Sequence, residues 1–241
     1  MTTVNLEGRN VVVEALKRKR KIFEILIDKN SKGEKVTELC EMAKKAGIKA
    51  TFVERAELDK ISKTDSHQGV VALAEPVATY SVAQVLKEVK DPFFVILKEV
   101  LYEHNLGAVL RSAAAAGVSA VVVSPSKETS LTAVVERVSM GGSNIVRVCE
   151  ESILSALSVI KRAGIKIVGV ELSGSKYYFD EDLTGPIALV LGGENESLSL
   201  PIKEKCDIVV RVPMRNDIQS LNLSVAAGLV MFEKLKQEMK K

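Results

Sequence analysis

Three short segments carry side chains whose types and spacing could bind a ligand or assist a reaction. Glycines at the carboxyl end of a strand let a ligand approach the backbone, and open α/β sheets bind ligands at that edge. Polar residues beside those glycines would then face the ligand. In chain order the segments are Asn105-Leu106-Gly107-Ala108-Val109-Leu110-Arg111, Gly192-Gly193-Glu194-Asn195 after the apolar run Ile187–Leu191, and Val212-Pro213-Met214 followed by Ser220-Leu221-Asn222-Leu223-Ser224-Val225-Ala226.

Each segment also has an ordinary structural explanation. Asn105 and Asn222 are good helix N-caps, because a short polar side chain accepts a hydrogen bond from the first turn. Arg111 could be a solvated helix residue and Glu194 a solvated turn residue. The combination favours a site, since all three segments follow strand ends within one α/β domain. An arginine at that edge is suited to bidentate contact with phosphate or a planar anion.

The composition is that of a globular protein in a reducing compartment. The chain has 241 residues, 46% apolar and 27% charged, which fits one or two domains. Aromatic residues make up 4% and there is no tryptophan, which argues against an aromatic base-stacking platform. The three cysteines lie outside any C-x-x-C pair, which indicates reduced thiols. The sequence shows neither a signal-peptide pattern nor a membrane-spanning apolar run, so we expect a cytoplasmic protein.

Positive charge is concentrated in the first third of the chain. Residues 1–74 carry 15 Lys and Arg against 11 Asp and Glu, whereas residues 75–241 carry 19 against 20. The run Lys17-Arg18-Lys19-Arg20-Lys21 could neutralise several phosphates of a nucleic acid. A solvated helix end is the alternative, since basic residues are also favoured near a helix C-terminus.

Two blocks differ in their hydrophobic pattern, and together they predict an α/β protein. The first block predicts a compact αβα unit with helix 11–16 capped by Asn10, strand 22–27, helix 34–46, strand 49–53 and strand 69–74. In the second block apolar strands alternate with helices, which indicates a parallel sheet covered on both faces. Its predicted strands are 93–97, 120–123, 145–148, 165–170, 187–191 and 208–212, and its predicted helices are 106–116, 131–139, 153–163 and 223–236.

The motifs on these elements resemble the SpoU (TrmH) branch of the SPOUT superfamily, S-adenosylmethionine-dependent RNA ribose 2′-O-methyltransferases. The family pattern N-x-G-x-x-x-R is similar to Asn105, Gly107 and Arg111, and its G-x-E is similar to Gly192 and Glu194. Its third pattern, P-M then S-L-N-x-S-x-A, is similar to residues 213–226. The substrate-binding domain of the ribosomal-RNA members resembles Gly8-Arg9-Asn10, Val13-Glu14-Ala15-Leu16 and His67-Gln68-Gly69-Val70.

The resemblance implies a SPOUT fold. A small αβα RNA-binding domain would occupy 1–75, a linker 76–90, and a parallel-sheet methyltransferase domain with a C-terminal deep trefoil knot 91–241. Enzymes of this branch are homodimers with the catalytic cleft near the dimer interface. The loops that would hold S-adenosylmethionine contain Leu191, Gly192, Gly193, Glu194, Val212, Pro213, Met214, Leu221, Asn222 and Leu223.

The implied reaction is in-line attack of a ribose 2′-hydroxyl on the sulfonium methyl group, with no metal required. Positioning and removal of the hydroxyl proton are what the protein must supply. We expect Arg111 to hold the target phosphate rather than act as base, because guanidinium keeps its proton up to about pH 12. Glu194 is expected to act as base or to orient the cofactor. The implied catalytic residues are Asn105, Arg111, Glu194, Ser220 and Asn222. The implied RNA contacts are Arg9, Asn10, Lys17, Arg18, Arg20, Arg111 and His67. For His67 a structural role is the alternative.

Two loops depart from the family pattern. Ser197 stands where the family's G-x-E-x-x-G has glycine, and the lead-in Arg215-Asn216-Asp217-Ile218-Gln219 lacks a glycine often found there. A loop residue that needs positive φ is strained without glycine. We therefore expect these departures to affect loop geometry and cofactor affinity.

These features predict methylation of a ribose 2′-hydroxyl in RNA. A 23S ribosomal RNA guanosine is the expected target, because a separate N-terminal domain is typical of the ribosomal-RNA members. A transfer-RNA 2′-O-methyltransferase and a catalytically silent RNA-binding protein of the same fold are the alternatives. A nicotinamide-dependent oxidoreductase is rejected, since the segment 105–111 offers one glycine where G-x-G-x-x-G needs three.

Overall fold

The computed structural model of the chain describes residues 3–64, 67–76, 78–125, 131–193, 196–216, 218 and 220–240. The strands are β1 (Val4–Glu7), β2 (Ile22–Asp28), β3 (Lys49–Val53), β4 (Val70–Ala74), β5 (Thr79–Tyr80), β6 (Phe93–Leu97), β7 (Ala120–Val123), β8 (Arg147–Glu150), β9 (Lys166–Val170), β10 (Lys176–Tyr177), β11 (Ile187–Leu191) and β12 (Ile208–Arg211). The helices are α1 (Arg9–Lys17), α2 (Glu34–Lys45), α3 (Arg55–Ile61), α4 (Val82–Glu88), α5 (Glu103–Ala115), α6 (Ala133–Ser139), α7 (Ile153–Arg162), α8 (Leu200–Lys203) and α9 (Leu223–Glu238). Within the described ranges, none of these helices is both long and apolar enough to cross a membrane.

The chain divides into two compact units. The first unit contains residues 1–77 and 131–145, and the second contains residues 78–130 and 146–241. Helix α6 therefore belongs to the first unit, although the sequence analysis assigned its residues to the methyltransferase domain. Helix α4 lies in the stretch assigned to a linker, but its Val82 is buried in the core of the second unit.

The first unit is built on a four-stranded sheet in the order β1-β4-β2-β3. β2 and β3 run parallel, and β4 pairs antiparallel with both β1 and β2. Val12 of α1 and Leu39 of α2 share one core with the sheet. Helix α1 begins at Arg9, directly after Gly8 with its φ of 105°, which glycine adopts at no steric cost. The predicted capping role of Asn10 is therefore wrong.

A buried ion pair attaches α6 to the first unit. Arg20 Nη1 lies 2.8 Å from Glu136 Oε1, and the two side chains are 8% and 0% exposed. Glu136 also accepts a hydrogen bond from Ser143 Oγ at 2.7 Å, and Arg20 Nε donates to the carbonyl of Glu75 at 3.0 Å. Because both charges are removed from water, each is tolerated only while its partner is present.

The second unit is built on an eight-stranded parallel sheet in the order β10-β12-β9-β11-β6-β7-β8-β5. This order confirms the predicted parallel α/β architecture. Every residue of β6 and β11 is buried, as expected for strands covered on both faces. β8 covers 147–150 rather than the predicted 145–148, since a 3₁₀ turn at Gly142–Asn144 precedes it and Ile145 is left largely exposed.

The buried ion pair predicts a position-specific loss of stability. Arg20→Met should lower the free energy of unfolding by about 3 kcal/mol, because Glu136 would stay buried without a cation. Lys21→Met is the matched control, since Lys21 and Glu75 lie 3.6 Å apart with both side chains more than half exposed. That change should alter the unfolding free energy by about 1 kcal/mol or less. Urea denaturation measures both variants, and equal losses would contradict the importance of the buried pair.

Candidate functional site

The carboxyl ends of β9, β11 and β12, together with the start of α9, enclose a pocket of about 330 Å³. β9 pairs in parallel with both β11 and β12, so the final residues of the three strands meet at one edge of the sheet. The pocket is lined by Val170, Glu171, Leu172, Leu191, Gly192, Gly193, Glu196, Ser197, Val212, Met214, Ser220, Leu221, Leu223 and Ala226.

Most residues that the sequence analysis assigned to a cofactor site line this pocket. They are Leu191, Gly192, Gly193, Val212, Met214, Leu221 and Leu223, and Ser220 of the catalytic set joins them. Pro213 and Asn222 are exposed and do not belong to the lining. Glu194 lies outside the described residues, so its expected roles stay predictions.

Six of the lining residues carry no role predicted from the sequence. They are Val170, Glu171, Leu172, Glu196, Ser197 and Ala226. The end of β9 could be found only from the strand order, because the sequence does not say which strand lies beside β11. Ala226 carries a local signal, since it lies one helical turn after Asn222 at the start of α9. Glu196 and Ser197 simply extend the glycine loop that the sequence had identified.

Gly193 is required by a close approach of backbone to side chain. A Cβ atom at this position would lie 2.5 Å from Oε2 and 2.7 Å from Cβ of Glu99. Gly192 has more room, since a Cβ there would lie 3.3 Å from the carbonyl oxygen of Glu196. Only glycine at position 193 lets the loop pass this close to Glu99. The pocket wall at this position is therefore formed by backbone atoms.

A hydrogen bond joins the first and third sequence segments. Asn222 Nδ2 donates to Asn105 Oδ1 at 3.0 Å, and Asn222 Oδ1 accepts from the backbone N–H of Ser224 at 2.9 Å. Asn222 is thus the N-cap of α9. Asn105 is not the predicted N-cap of α5, because that helix begins two residues earlier, at Glu103 after Tyr102. The amide of Asn105 lies instead where α5 meets the residue that caps α9.

Arg111 lies on the exposed surface of α5, six residues after Asn105. That separation is about 9 Å along the helix axis. Arg111 is not among the pocket-lining residues, and its guanidinium makes no hydrogen bond or ion pair in the described part of the chain. An exposed guanidinium without a carboxylate partner remains available to an anion.

The two loops that depart from the family pattern differ in backbone conformation. Among the described residues, the non-glycine positions with positive φ are Lys19, Gln68, Met140 and Asn216. Ser197 is therefore outside the left-handed region, and the expected strain at this position is wrong. Asn216 has a φ of 58°, which asparagine tolerates better than most residues. It takes a glycine-like conformation in the lead-in to the third segment.

The predicted RNA contacts of the first unit fall at opposite ends of α1, about 12 Å apart along the helix axis. Arg9 and Asn10 begin the helix, and Lys17 and Arg18 end it. Lys17 and Arg18 at the C-terminal end each have a carboxylate partner, which neutralises part of the predicted basic cluster. The pairs are Lys17–Glu38 at 3.6 Å and Arg18–Glu14 at 3.2 Å.

Arg9 connects two loops to the N-terminal end of α1. Its Nε donates to the carbonyl of Gln68 at 3.0 Å, and its terminal nitrogens lie 3.4 Å from the carbonyl oxygen of Lys32 and from Ser31 Oγ. Asn10 lies beside it on the first turn. Both side chains are partly exposed, so part of each stays available at this edge of the four-stranded sheet.

Arg20 and His67 are buried, which corrects their prediction as RNA contacts. The guanidinium of Arg20 forms an ion pair with Glu136. His67 is 2% exposed, its Nε2 lies 2.8 Å from Asp59 Oδ1, and its Nδ1 accepts from the backbone N–H of Gly69 at 3.1 Å. Because Nδ1 accepts, Nε2 carries the proton and donates to Asp59. The polar atoms of both side chains therefore serve the interior of the first unit.

The three cysteines are free thiols, and burial raises the pKa of each. Burial raises the pKa of Cys149 to about 12 and that of Cys206 to about 11. Both therefore stay protonated at neutral pH, where the thiolate is the nucleophilic form. In the part of the chain that the structure describes, no group of three His, Cys, Asp or Glu side chains is placed to hold a metal ion.

Two protein families match the chain in sequence. The SpoU rRNA Methylase family matches residues 92–232, and the RNA 2′-O ribose methyltransferase substrate-binding family matches residues 6–80. Among individual relatives, the 23S rRNA (guanosine-2′-O-)-methyltransferase RlmB of Xylella fastidiosa (strain 9a5c) is 34% identical over 237 residues. The matched region covers 95% of this chain and 95% of that protein.

Solved structures share the fold. A crystal structure of an RNA 2′-O ribose methyltransferase matches with a TM-score of 0.82 at 27% identity, covering 98% of this chain and 89% of that chain. The SpoU methyltransferase AviRb from Streptomyces viridochromogenes, crystallised in complex with AdoMet, matches with a TM-score of 0.82 at 22% identity. That match covers 98% of this chain and 91% of the other, and it concerns the fold alone.

The hydrogen bond of Asn222 to Asn105 can be separated by substitution from its two hydrogen bonds to Ser224. Asn222→Ala removes all three and should lower the unfolding free energy by about 1 kcal/mol, because the first turn of α9 loses its acceptor. Asn222→Asp keeps an acceptor whose charge suits a helix N-terminus, so its unfolding free energy should stay within about 0.5 kcal/mol of the wild type. Urea denaturation measures both. An Asp variant as unstable as the Ala variant would show that the bond to Asn105, not the cap, stabilises this edge.

Proposed function

Because the chain belongs to the SpoU rRNA methylase family, whose members are S-adenosylmethionine-dependent RNA 2′-O-methyltransferases, we propose that it methylates a ribose 2′-hydroxyl of 23S ribosomal RNA. The pocket at the carboxyl ends of β9, β11 and β12 carries this proposal, since it unites the second and third sequence segments in one ligand-sized cavity. The ribosomal substrate is supported by the RlmB relative, which matches nearly the whole chain.

The pocket suits a nucleoside cofactor. Leu191, Val212 and Leu221 give it apolar walls for the faces of a purine, and the loop at Gly192–Gly193 offers backbone polar groups. Gly192 and Gly193 line the pocket and carry no side chains, so a bound nucleoside can approach the backbone of this loop closely. S-adenosylmethionine supplies the electrophilic methyl group when it is bound here.

We assign the remaining roles to side chains of the three sequence segments. Arg111 holds the phosphate beside the target ribose, because its guanidinium is exposed and keeps its proton at neutral pH. Asn105, held by Asn222, orients the ribose, and Ser220 contributes to the pocket wall. Glu194 accepts the hydroxyl proton or orients the cofactor. In this reaction the ribose oxygen would lose its proton and bond the methyl group, while the carbon–sulfur bond breaks and the sulfur leaves as a neutral thioether.

The first unit would bind the RNA. It matches a substrate-binding family, and residues 1–74 carry four more basic than acidic residues. The edge at Arg9 and Asn10 is favoured over the opposite end of α1, where Lys17 and Arg18 are paired with carboxylates. A domain of 1–75, a linker of 76–90 and a catalytic domain of 91–241 remain our proposed functional division.

The C-terminal segment would form the deep trefoil knot of SPOUT enzymes. Two observations support this topology. The solved RNA 2′-O ribose methyltransferase shares the fold over nearly the whole chain. Helix α9 follows the pocket loops and packs against both α5 and β11, which brings the end of the chain back across the centre of the sheet.

Helix α9 also supports a homodimer. Val225, Leu229 and Phe232 are spaced as one helix face and are 50%, 38% and 45% exposed. The other side of the same helix is buried through Val230 and Met231. A helix that is apolar on both sides needs a second partner to cover it. We assign that partner to another copy of the chain.

Titration calorimetry with S-adenosylmethionine tests the cofactor site. The wild type should bind with micromolar affinity, and Ala226→Leu should abolish binding because the larger side chain enters the pocket that Ala226 lines. Ala115→Leu, at the exposed last residue of α5, is the matched control and should bind like the wild type. A folded wild type that does not bind would reject the enzyme and favour the silent RNA-binding protein.

Transfer of labelled methyl groups to unmodified 23S ribosomal RNA and transfer RNA then identifies the substrate. A ribose 2′-O-methyl group protects the neighbouring linkage from alkali, because the 2′-oxygen can no longer attack the phosphate. We expect label and one alkali-resistant linkage in the 23S transcript and neither in transfer RNA. Label in transfer RNA alone would assign the chain to the other substrate class.

The dimer is tested by size-exclusion chromatography with light scattering. The wild type should have twice the chain mass of 26.1 kDa. Phe232→Glu should give a monomer, because a charge in the centre of the apolar stripe cannot be buried without a partner. Phe52→Glu is the matched control, since Phe52 is a similarly exposed phenylalanine on β3. A dimer that survives Phe232→Glu would place the interface elsewhere.

A further inference from the structure

The loop that follows β11 is flanked by residues from the strands on both sides. Leu191, the last residue of β11, pairs in register with Val170 of β9 and with Leu97 of β6. Glu171 and Lys98 are therefore the first residues beyond two strands that stand on either side of the loop. Neighbouring strands are about 4.8 Å apart, so both long side chains can reach the loop.

Lys98 contacts the loop from the side of β6. Its Nζ donates to the carbonyl oxygen of Ser197 at 2.7 Å and to Glu196 Oε2 at 2.8 Å. The hydrogen bond from Lys98 holds the pKa of Glu196 below its usual value. The backbone N–H of Lys98 also donates to the carbonyl of Leu191 at 3.1 Å. One residue is thus bonded near both ends of the loop.

Glu171 contacts the loop from the side of β9. Its Oε2 accepts from the backbone N–H of Leu198 at 3.0 Å. Its Oε1 accepts from Lys203 Nζ at 2.7 Å and from Ser173 Oγ at 3.0 Å. The side chain is 12% exposed, and donors on both of its oxygens set the orientation of the carboxylate.

The two contacts meet on one peptide group. The carbonyl of Ser197 and the N–H of Leu198 belong to the same peptide plane, and in a trans peptide they point in opposite directions. Lys98 binds the carbonyl and Glu171 binds the N–H, each with the charge that strengthens its bond. Turning this plane would break both bonds together, so its orientation is restricted from two sides.

We propose that Lys98 and Glu171 are positioning residues that hold the 197–198 peptide group and thereby keep residues 196–198 and the glycines 192 and 193 in the arrangement that binds the cofactor. Ser197, Glu196 and both glycines of this loop line the pocket, and the N–H of Gly193 donates to the carbonyl of Glu196 at 2.8 Å. These two contacts also account for serine at 197, where the family has glycine. The side chains of Lys98 and Glu171, which lie outside the loop, set the path of the loop at this position. The consequence for cofactor binding rests on the proposed function.

Hydrogen exchange in the cofactor-free protein tests whether Lys98 and Glu171 restrict the loop. Lys98→Met and Glu171→Met keep side-chain length and remove the polar contacts. Each should speed amide exchange in peptides covering 192–200 by about tenfold, since charge-assisted hydrogen bonds are lost. Lys166→Met is the matched control, because Lys166 Nζ likewise contacts a carboxylate and a carbonyl, of Glu181 and Asp182, at the opposite edge of the sheet. Exchange in the Met variants equal to that of the control would overturn the proposal.

Calorimetry with S-adenosylmethionine tests the effect on the pocket. Lys98→Met, at a residue outside the pocket lining, should raise the Kd about tenfold, equivalent to about 1.4 kcal/mol, and Glu171→Met should raise it at least as much, because Glu171 also lines the pocket. The double variant should raise it by clearly less than the product of the two single effects, because both act on one peptide group. Lys98→Arg retains a charged donor and should recover most of the affinity, which separates a positioning role from general instability.

The outcomes distinguish this proposal from the proposed function. Faster exchange with an unchanged Kd would overturn the link between the loop and the cofactor. Single effects that multiply in the double variant would overturn the shared peptide group. A wild type that fails to bind S-adenosylmethionine would reject the proposed function, whereas the exchange measurement would still decide whether Lys98 and Glu171 hold the loop.

Discussion

Leu191 stands opposite Leu97 on one side and Val170 on the other, so the chain leaves β6, β11 and β9 at the same level of the sheet. The pocket depends on this register. One residue later come the glycine loop after β11 and Glu171 after β9, which line the pocket, and Lys98 after β6, which contacts the loop from outside the lining. A shift of any one strand by one residue would turn its side chains to the other face, and the loop would lose a contact.

The second junction on which the site depends is the meeting of α5 and α9. One hydrogen bond, from Asn222 to Asn105, joins side chains that are 117 residues apart in the chain. Asn222 also caps α9, so the same side chain begins the helix and connects it to the first segment. The position of Arg111 follows from this arrangement, because it extends along α5 from the joined end. The side chain of Asn222 therefore both stabilises the start of α9 and connects α9 to α5.

Much of the fold could be predicted because buried parallel strands are continuous apolar runs. The bounds of β6 and β11 agree with the sequence pattern, as does the start of α9. The sequence-based predictions were wrong where the same residue type can serve two different structural roles. Asn105 is a good cap but sits inside the first turn of α5. Arg20 and His67 are polar, yet their partners Glu136 and Asp59 hold them inside the first unit.

The sequence by itself determined the α/β class, the parallel sheet and two of the segments that line the pocket, since hydrophobic period and short motifs are local properties of the chain. The tertiary structure alone decided which strands are neighbours, which charges are buried, and that α6 packs with the first unit. It also decided that Lys98 and Glu171 meet on one peptide group. Pairing and burial depend on residues far apart in the chain, so no local pattern encodes them.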